Sequence, residues 1–454
     1  MSHYIHYYND QVGGGAGVKS VYTGATYQRG PGIGSFLGSI FRRIAPYLAR
    51  GAKAVGKEAV RAGLNVIDDV TNNGANFKEA LSGRLKDAYL YYKPISSLSD
   101  DGDSPLEFLI PSSTDHYIDL AHTTLHLTVQ ILPASDTPSE NLKVGPVNNF
   151  IHSIAYIETL LNYATPAMRS HLTSALWSID TADAMDAAPN LDRKADGANQ
   201  GLINRLFFIA GGKAVDMIGH LHCDVFNQPK FLTNGLDVRV RLVLSKDAFC
   251  LMDLSDKGKF SVHIKEATLI VRRAKISPGI LLAHANALAK TTAKYPLTRA
   301  DVNSFTLHSG ILGDTLDNVI LGQLPKRIIL GFVKNKAFNV NRKLNPLNFQ
   351  HFNINFISLY MDGVQVPSIH YLNEGLDIDR YGYPNVFCLF AFNLTPDLSA
   401  HFISHWNLVR SGSLCVEVRF AEALTETLNC IVYAEFDNVL EIDSNRQIIT
   451  DFNS

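Results

Sequence analysis

The stretch LDVRVRLVL, residues 236–244, sets how the rest of the chain is read. Leu236, Val238, Val240, Leu242 and Leu244 recur at every second position, and Arg239 and Arg241 fall between them. A period of two puts the aliphatic set on one face of an extended strand and the guanidinium groups on the other, so the strand has one face in a core and one in water. The same alternation returns in FSVHIKEA, where Phe260, Val262 and Ile264 alternate with Ser261, His263 and Lys265. It returns again in LCVEVRF, where Leu414, Val416, Val418 and Phe420 alternate with Cys415, Glu417 and Arg419. Further strand candidates are LEFLI (106–110), LHLTVQIL (125–132), INRLFFIA (203–210), KRIILGFV (326–333), FNINFISLYMDG (352–363), VFCLFAFNL (386–394) and CIVYAEF (430–436). Many short strands without regular intervening helices indicate a sandwich, a barrel or a jelly roll.

Two helical islands interrupt the strands. AYIETLLNYATPAMRSHLTSALW (155–177) reads as helices broken at Pro166, and SPGILLAHANALAKTTA (277–293) reads as another helix. The second island divides the β region into 105–275 and 295–454, each with room for one eight-stranded sandwich. The expected fold is mainly β: a double jelly roll, preceded by a flexible N-terminus and basic amphipathic helices. Residues 1–33, rich in Gly and Tyr, form the expected flexible arm. Residues 34–95 form a basic helical segment, with GANFKEALSGRLKDAYL (74–90) as a mixed-charge helix. The turn-rich SSLSDDGDSP (96–105) marks the boundary, 96–275 is the first roll with 155–177 inserted, and 276–454 is the second.

Residues 34–70, GSFLGSIFRRIAPYLARGAKAVGKEAVRAGLNVIDDV, stand apart from this pattern. Phe36, Leu37, Ile40, Phe41, Ile44 and Leu48 recur at three- and four-residue steps and share one stripe of a helix. Arg42, Arg43 and Arg50 lie off the stripe, and Lys53, Lys57 and Arg61 flank its continuation beyond Pro46. Gly51, Gly56 and Gly63 each weaken an isolated helix by roughly 1 kcal/mol relative to Ala, so the segment is expected to form against a partner surface. Three surfaces fit: an anionic membrane, DNA through counterion release, or the protein's own body or a neighbouring subunit. The twelve residues Phe36, Leu37, Ile40, Phe41, Arg42, Arg43, Ile44, Leu48, Arg50, Lys53, Lys57 and Arg61 are the candidate membrane- or DNA-contacting set.

Composition narrows the functional classes. A chain of 454 residues with 46% apolar and 19% charged residues can bury a large core. Its net charge of −2 excludes nucleic-acid binding by bulk electrostatics, although residues 29–61 hold seven Arg or Lys against the single acid Glu58. The cysteines Cys223, Cys250, Cys388, Cys415 and Cys430 are scattered, odd in number and without a CxxC, and read as reduced core residues of an intracellular protein. The N-terminus lacks the pattern of a secretory signal, and no apolar run is long enough to span a membrane.

His220 and His222 in HLHCD would share one face of a strand, which a metal could use, but no second ligand pair stands at a matching spacing. SDDGD (99–103) lacks the register of a calcium loop, and GGGAG (13–17) neither follows a strand nor opens a helix. Glu417, Glu422 and Glu426 read as surface charges rather than paired acids. No nucleophile elbow, HExxH or P-loop occurs. The expectation is a protein without catalytic residues, metal, cofactor or small-molecule substrate.

A series of long segments resembles the capsid-protein family of Polinton (Maverick) elements and the related adintoviruses. It runs from YYKPISSLSDDGDSPLEFLIPSSTDHYIDLAHTTLHLTVQI (91–131) through LKVGPVNNFIHSI (142–154), 156–177, 215–252 and 322–363 to 391–452, covering nearly all of 91–454. The resemblance implies a jelly-roll capsid protein of the adenovirus-like lineage. Two halves of this size look like a major capsid subunit that trimerises into capsomers and contacts other capsid proteins; a penton-type minor capsid protein and a host β-sandwich binding protein derived from such an element are the alternatives. A virion location follows for an active element, and an intracellular one otherwise. Residues 32–70 look like the basic core and membrane-active peptide of adenovirus-like viruses, here joined to the capsid segment. The chain departs from the family pattern where Ile154 runs almost directly into Tyr156 and where the stretch between Val366 and Asp379 is short. A strand lost there would expose sheet edges.

Overall fold

A computed structural model describes residues 89–98, 105–133, 144–148, 155–162, 169–187, 197–222, 224–253, 260–339, 341–366, 380–396, 400 and 410–450. All of them fall in the compact unit Gly74–Ser454. The twelve candidate contact residues of 36–61, the GGGAG and SDDGD stretches, Cys223, Ile154 at the short junction with Tyr156, and the stretch between Val366 and Asp379 lie outside the described residues.

Seventeen strands are described. The first eight are β1 (Tyr89–Tyr92), β2 (Leu106–Ile110), β3 (His116–Pro133), β4 (Val144–Pro146), β5 (Val215–His220), β6 (Val238–Leu242), β7 (Leu251–Asp253) and β8 (Phe260–Lys275). The other nine are β9 (Ala293–Leu307), β10 (Gly313–Gln323), β11 (Arg327–Lys334), β12 (Ile354–Met361), β13 (Val364–Val366), β14 (Leu389–Asn393), β15 (Ser411–Phe420), β16 (Leu428–Ile442) and β17 (Ile448–Thr450). Three longer helices accompany them: α1 (Ala155–Asn162), α2 (Gln200–Ile209) and α3 (Pro278–Leu288).

Every ladder is antiparallel and, among the described residues, joins strands on the same side of α3. Before α3 lie a four-stranded sheet ordered β1-β8-β3-β5 and the ribbons β2-β6 and β4-β7. After it lie a second four-stranded sheet, β10-β15-β12-β13, and a five-stranded one, β14-β11-β16-β17 with β9 paired along the length of β16. The fold is mainly β, and these two large antiparallel sheets pack as the layers of a sandwich around a shared core.

The alternation read from sequence places the cores. In β15, Leu414, Val416, Val418 and Phe420 are buried and Cys415, Glu417 and Arg419 point away. They meet Ile328, Leu330 and Phe332 of β11 and Cys430, Val432 and Ala434 of β16 in the sandwich core. The intervening residues of the same strands, Ile329, Val333, Ile431 and Tyr433, belong to a second core, which continues through Leu106, Phe108, Leu127, Leu269 and Val271 of the first half. The sheet containing β11 and β16 is therefore covered on both faces. That is why RIILGFV and NCIVYAEF run apolar without alternation.

Three sequence expectations are corrected. INRLFFIA is not a strand: residues 200–209 form α2, capped by the Asn199 side chain, which accepts hydrogen bonds from the Gly201 and Leu202 amides. Leu202, Leu206 and Ile209 face the core at helical spacing, and Gly211 and Gly212, both at positive φ, lead the chain away. The mixed-charge helix expected through Leu90 does not reach that residue, because Tyr89–Tyr92 pairs with β8 ahead of the expected boundary at 96–105. The island at 277–293 is helical over 278–288, with Pro278 in the first turn, and Ala293 already belongs to β9. The island at 155–177 holds α1 and a short 3-10 turn, Ser170–Ala175.

Candidate functional site

Three places gather polar or reactive side chains: a buried ion pair, the seam between the halves, and the solvent faces of the sheets. Arg205 sits on the inner face of α2 and is 1% exposed. Its Nη2 donates to Asp180 Oδ1 at 2.7 Å, its Nε to the Pro146 carbonyl at 2.8 Å, and its Nη1 to Asn148 Oδ1 at 2.7 Å and the Ser178 carbonyl at 2.8 Å. Asn148 Nδ2 returns a bond to Asp180 Oδ2 at 2.8 Å. Burial, and after it the Asp180 carboxylate, push the nearby Tyr156 phenol well up from its ordinary value. A desolvated pair tolerates this position because its donors are met, and removing one partner of such a pair costs about 3–5 kcal/mol. The cluster ties α2, β4 and the 176–181 loop together, and Arg205, Asn148 and Asp180 are all buried. It is a structural clamp. Sequence reading missed it because Arg205 was placed in a strand.

The seam between the halves is polar at its rim and apolar within. Asp186 accepts from the Asn345 amide at 2.8 Å and from Asn348 Nδ2 at 3.1 Å. Arg342 Nη1 donates to the Phe260 carbonyl at 2.8 Å. Arg446 reaches Thr233 Oγ1 at 3.0 Å and Asn234 Oδ1 at 2.8 Å. Inside, Tyr156 stacks on Phe349 with ring centroids 6.3 Å apart. Gly331 makes room for that ring, since a Cβ there would lie 2.5 Å from Phe349 Cδ1 and 2.8 Å from Leu389 Cδ2.

The candidates for chemistry are dispersed. β5 ends at His220, so His222 lies beyond the strand instead of sharing its face; the rings meet edge to face at 5.5 Å. Burial holds the His220 imidazole below its ordinary value, and its Nε2 lies 3.2 Å from Asn227 Oδ1. Among the described residues no three His, Cys, Asp or Glu side chains converge as metal ligands do. Burial pushes the thiols of Cys250, Cys388 and Cys430 up to about 12, which leaves them protonated and inert at neutral pH. Glu417 is bound by Arg419 and by the Tyr360 hydroxyl, which hold its carboxyl below the usual range, and Glu426 lies 3.6 Å from Lys334. Glu417 and Glu426 thus serve surface ion pairs, as expected. Among the described residues no helix is long and apolar enough to cross a membrane.

No family model matches the chain. An uncharacterized protein of Caenorhabditis elegans, F54H12.2, is 22% identical over 410 residues, which cover 77% of this chain and 94% of that protein. Among solved structures, a chain of the Sputnik virophage, determined by cryo-EM at 3.5 Å, superposes with a TM-score of 0.54 at 15% identity, covering 80% of this chain and 88% of that one. The mavirus major capsid protein gives a TM-score of 0.47 at 11% identity, covering 80% and 90%. The Faustovirus major capsid protein gives 0.46 at 8%, covering 77% and 89%. With the sheets and cores described above, the Sputnik likeness gives the architecture: this chain shares the jelly-roll fold of that virophage chain.

Proposed function

We propose that the chain is a structural shell protein of a Polinton- or adintovirus-like element, a major-capsid-type subunit that associates with copies of itself into trimeric capsomers. Residues 96–275 and 276–454 are the two jelly rolls of that subunit, and the Arg- and Lys-flanked segment 34–70 faces DNA or an anionic membrane inside the virion. The observation that carries the reading is the shared architecture: one chain of the Sputnik virophage covers 80% of this protein at a TM-score of 0.54. The inert cysteines and the closed Arg205 clamp accord with a structural role, because a shell subunit needs rigid bodies rather than an open reactive cleft. A second reading, a host β-sandwich binding protein derived from such an element, draws on the nematode relative that matches over 94% of its length.

Mass photometry and light scattering on the full chain over a wide concentration range test the proposal. Multi-subunit species, with shells or capsomers visible by electron microscopy, are expected. A strictly monomeric protein at every concentration would overturn the shell reading and favour the binding protein.

A further inference from the structure

Two exposed strands on opposite halves carry opposite charge. Among the described residues, β10 is the outer strand of its sheet and pairs with β15 alone. Asp314 and Asp317 on β10 are exposed. Glu422, also exposed, lies in the loop after β15 that is bonded to the start of β10, with Phe420 N donating to the Leu312 carbonyl at 2.8 Å and Leu424 N to the Ile311 carbonyl at 3.0 Å. Among the described residues none of these three acids has an ion-pair partner. The nearby Arg419 is engaged by Glu417 and by the Phe356 ring, 5.1 Å from its guanidinium. Leu312 and Leu321, 61% and 75% exposed, flank the acids.

On the first half, among the described residues, β6 pairs with β2 alone and presents Arg239 and Arg241 to solvent. Arg241 Nε lies 3.5 Å from Glu107, and the neighbouring Asp237 is held by the Ser112 amide at 2.6 Å. Lys246 is exposed a few residues on, and Val243 is 73% exposed beside Arg241. Each strand thus combines like-signed charge with strongly exposed aliphatic side chains.

Building on the self-associating reading above, we infer that the Arg239–Arg241 strand of one copy seats against the Asp314–Asp317 edge of the next. An acidic edge repels its own copy, so a symmetric edge-to-edge contact between two β10 strands is disfavoured. Unlike strands attract, and the exposed Val243, Leu312 and Leu321 supply apolar area that charge alone lacks. The contact is heterologous, first half to second half, and such contacts build rings when the rotation closes.

Charge reversal on the full chain tests this, since the substituted side chains are all solvent-facing. R239E, and separately D314K with D317K, are expected to weaken association by about tenfold or more while leaving the melting temperature near that of the parent. Mixing the two variants is expected to restore association, because each reversed strand then meets an opposite charge on the other chain. Association of the parent should weaken between about 0.05 and 0.5 M salt. If the parent associates and the reversals leave it unchanged, or if the dissociated variants are not rescued by mixing, this contact is wrong while the shell reading stands. A monomeric parent would instead remove the shell reading itself.

Discussion

The two large sheets of the second half share one core but live in different surroundings. In the β10-β15-β12-β13 sheet, one face packs inward and the other carries Cys415, Glu417, Arg419 and Tyr360 into water. In the sheet of β14, β11 and β16, alternate residues divide between two cores. Ile328, Leu330 and Phe332 face the sandwich interior, and Ile329 and Val333 face the first half. A sheet with one wet face can exchange outward side chains at little cost. A sheet covered twice has no tolerant face, and every residue along it is held by volume.

Parallel substitutions break the comparison most directly. Ile329→Ser, at a position 1% exposed on the face toward the first half, is expected to cost about 3–5 kcal/mol through the lost apolar volume and the buried hydroxyl. Cys415→Ser on the wet face should stay within about 0.5 kcal/mol. Denaturant unfolding and soluble yield of the two full-length variants measure the gap, and equal losses would mean that the first half does not cover β11.

A smaller effect probes the same seam. Gly331→Ala places a methyl group within 2.5 Å of Phe349 Cδ1 and should cost about 1–3 kcal/mol as overpacking. Adding Phe349→Leu is expected to recover part of the lost melting temperature; no recovery would move the clash elsewhere. Thiol accessibility sharpens the contrast without altering the chain. Cys430 and Cys388 are fully buried, with thiols pushed up to about 12, whereas Cys415 is half-buried on the outward face. Peptide mapping after brief alkylation of the native protein should find Cys415 labelled well before the other two.

The smallest effect lies on the wet face. Glu417, whose carboxyl is held down first by Arg419 and then by Tyr360, adds stability that is present above the ordinary carboxylate pKa. That contribution is lost as pH falls through the lowered folded value. The melting curves of the parent and Glu417→Gln should therefore differ slightly at neutral pH and converge in acid, and a difference that grows in acid would reverse the assignment.

The legible parts of the fold were those where one face met water. LDVRVRLVL and LCVEVRF showed which residues point inward, and β6 and β15 follow that pattern. KRIILGFV was readable as a strand but not as a doubly covered one, because a continuous apolar run carries no mark of what lies on either side. INRLFFIA misled for a related reason. Its apolar density suits a strand, while the helix rests on Asn199 and the Gly211–Gly212 exit, outside the run itself. The Arg205–Asp180 clamp was not legible, since the partners are 25 residues apart and neither stands in a recognisable motif.

What the sequence alone determined is the periodicity: which stretches extend and which faces of β6 and β15 are apolar, because these follow from spacing along a single segment. Tertiary structure decided what spacing cannot express. It covered the sheet of β11 and β16 on its second face, buried Arg205 against Asp180, and fitted Phe349 over Gly331. Each of these depends on segments far apart in the chain competing for the same volume, and that competition is settled only when the whole chain packs.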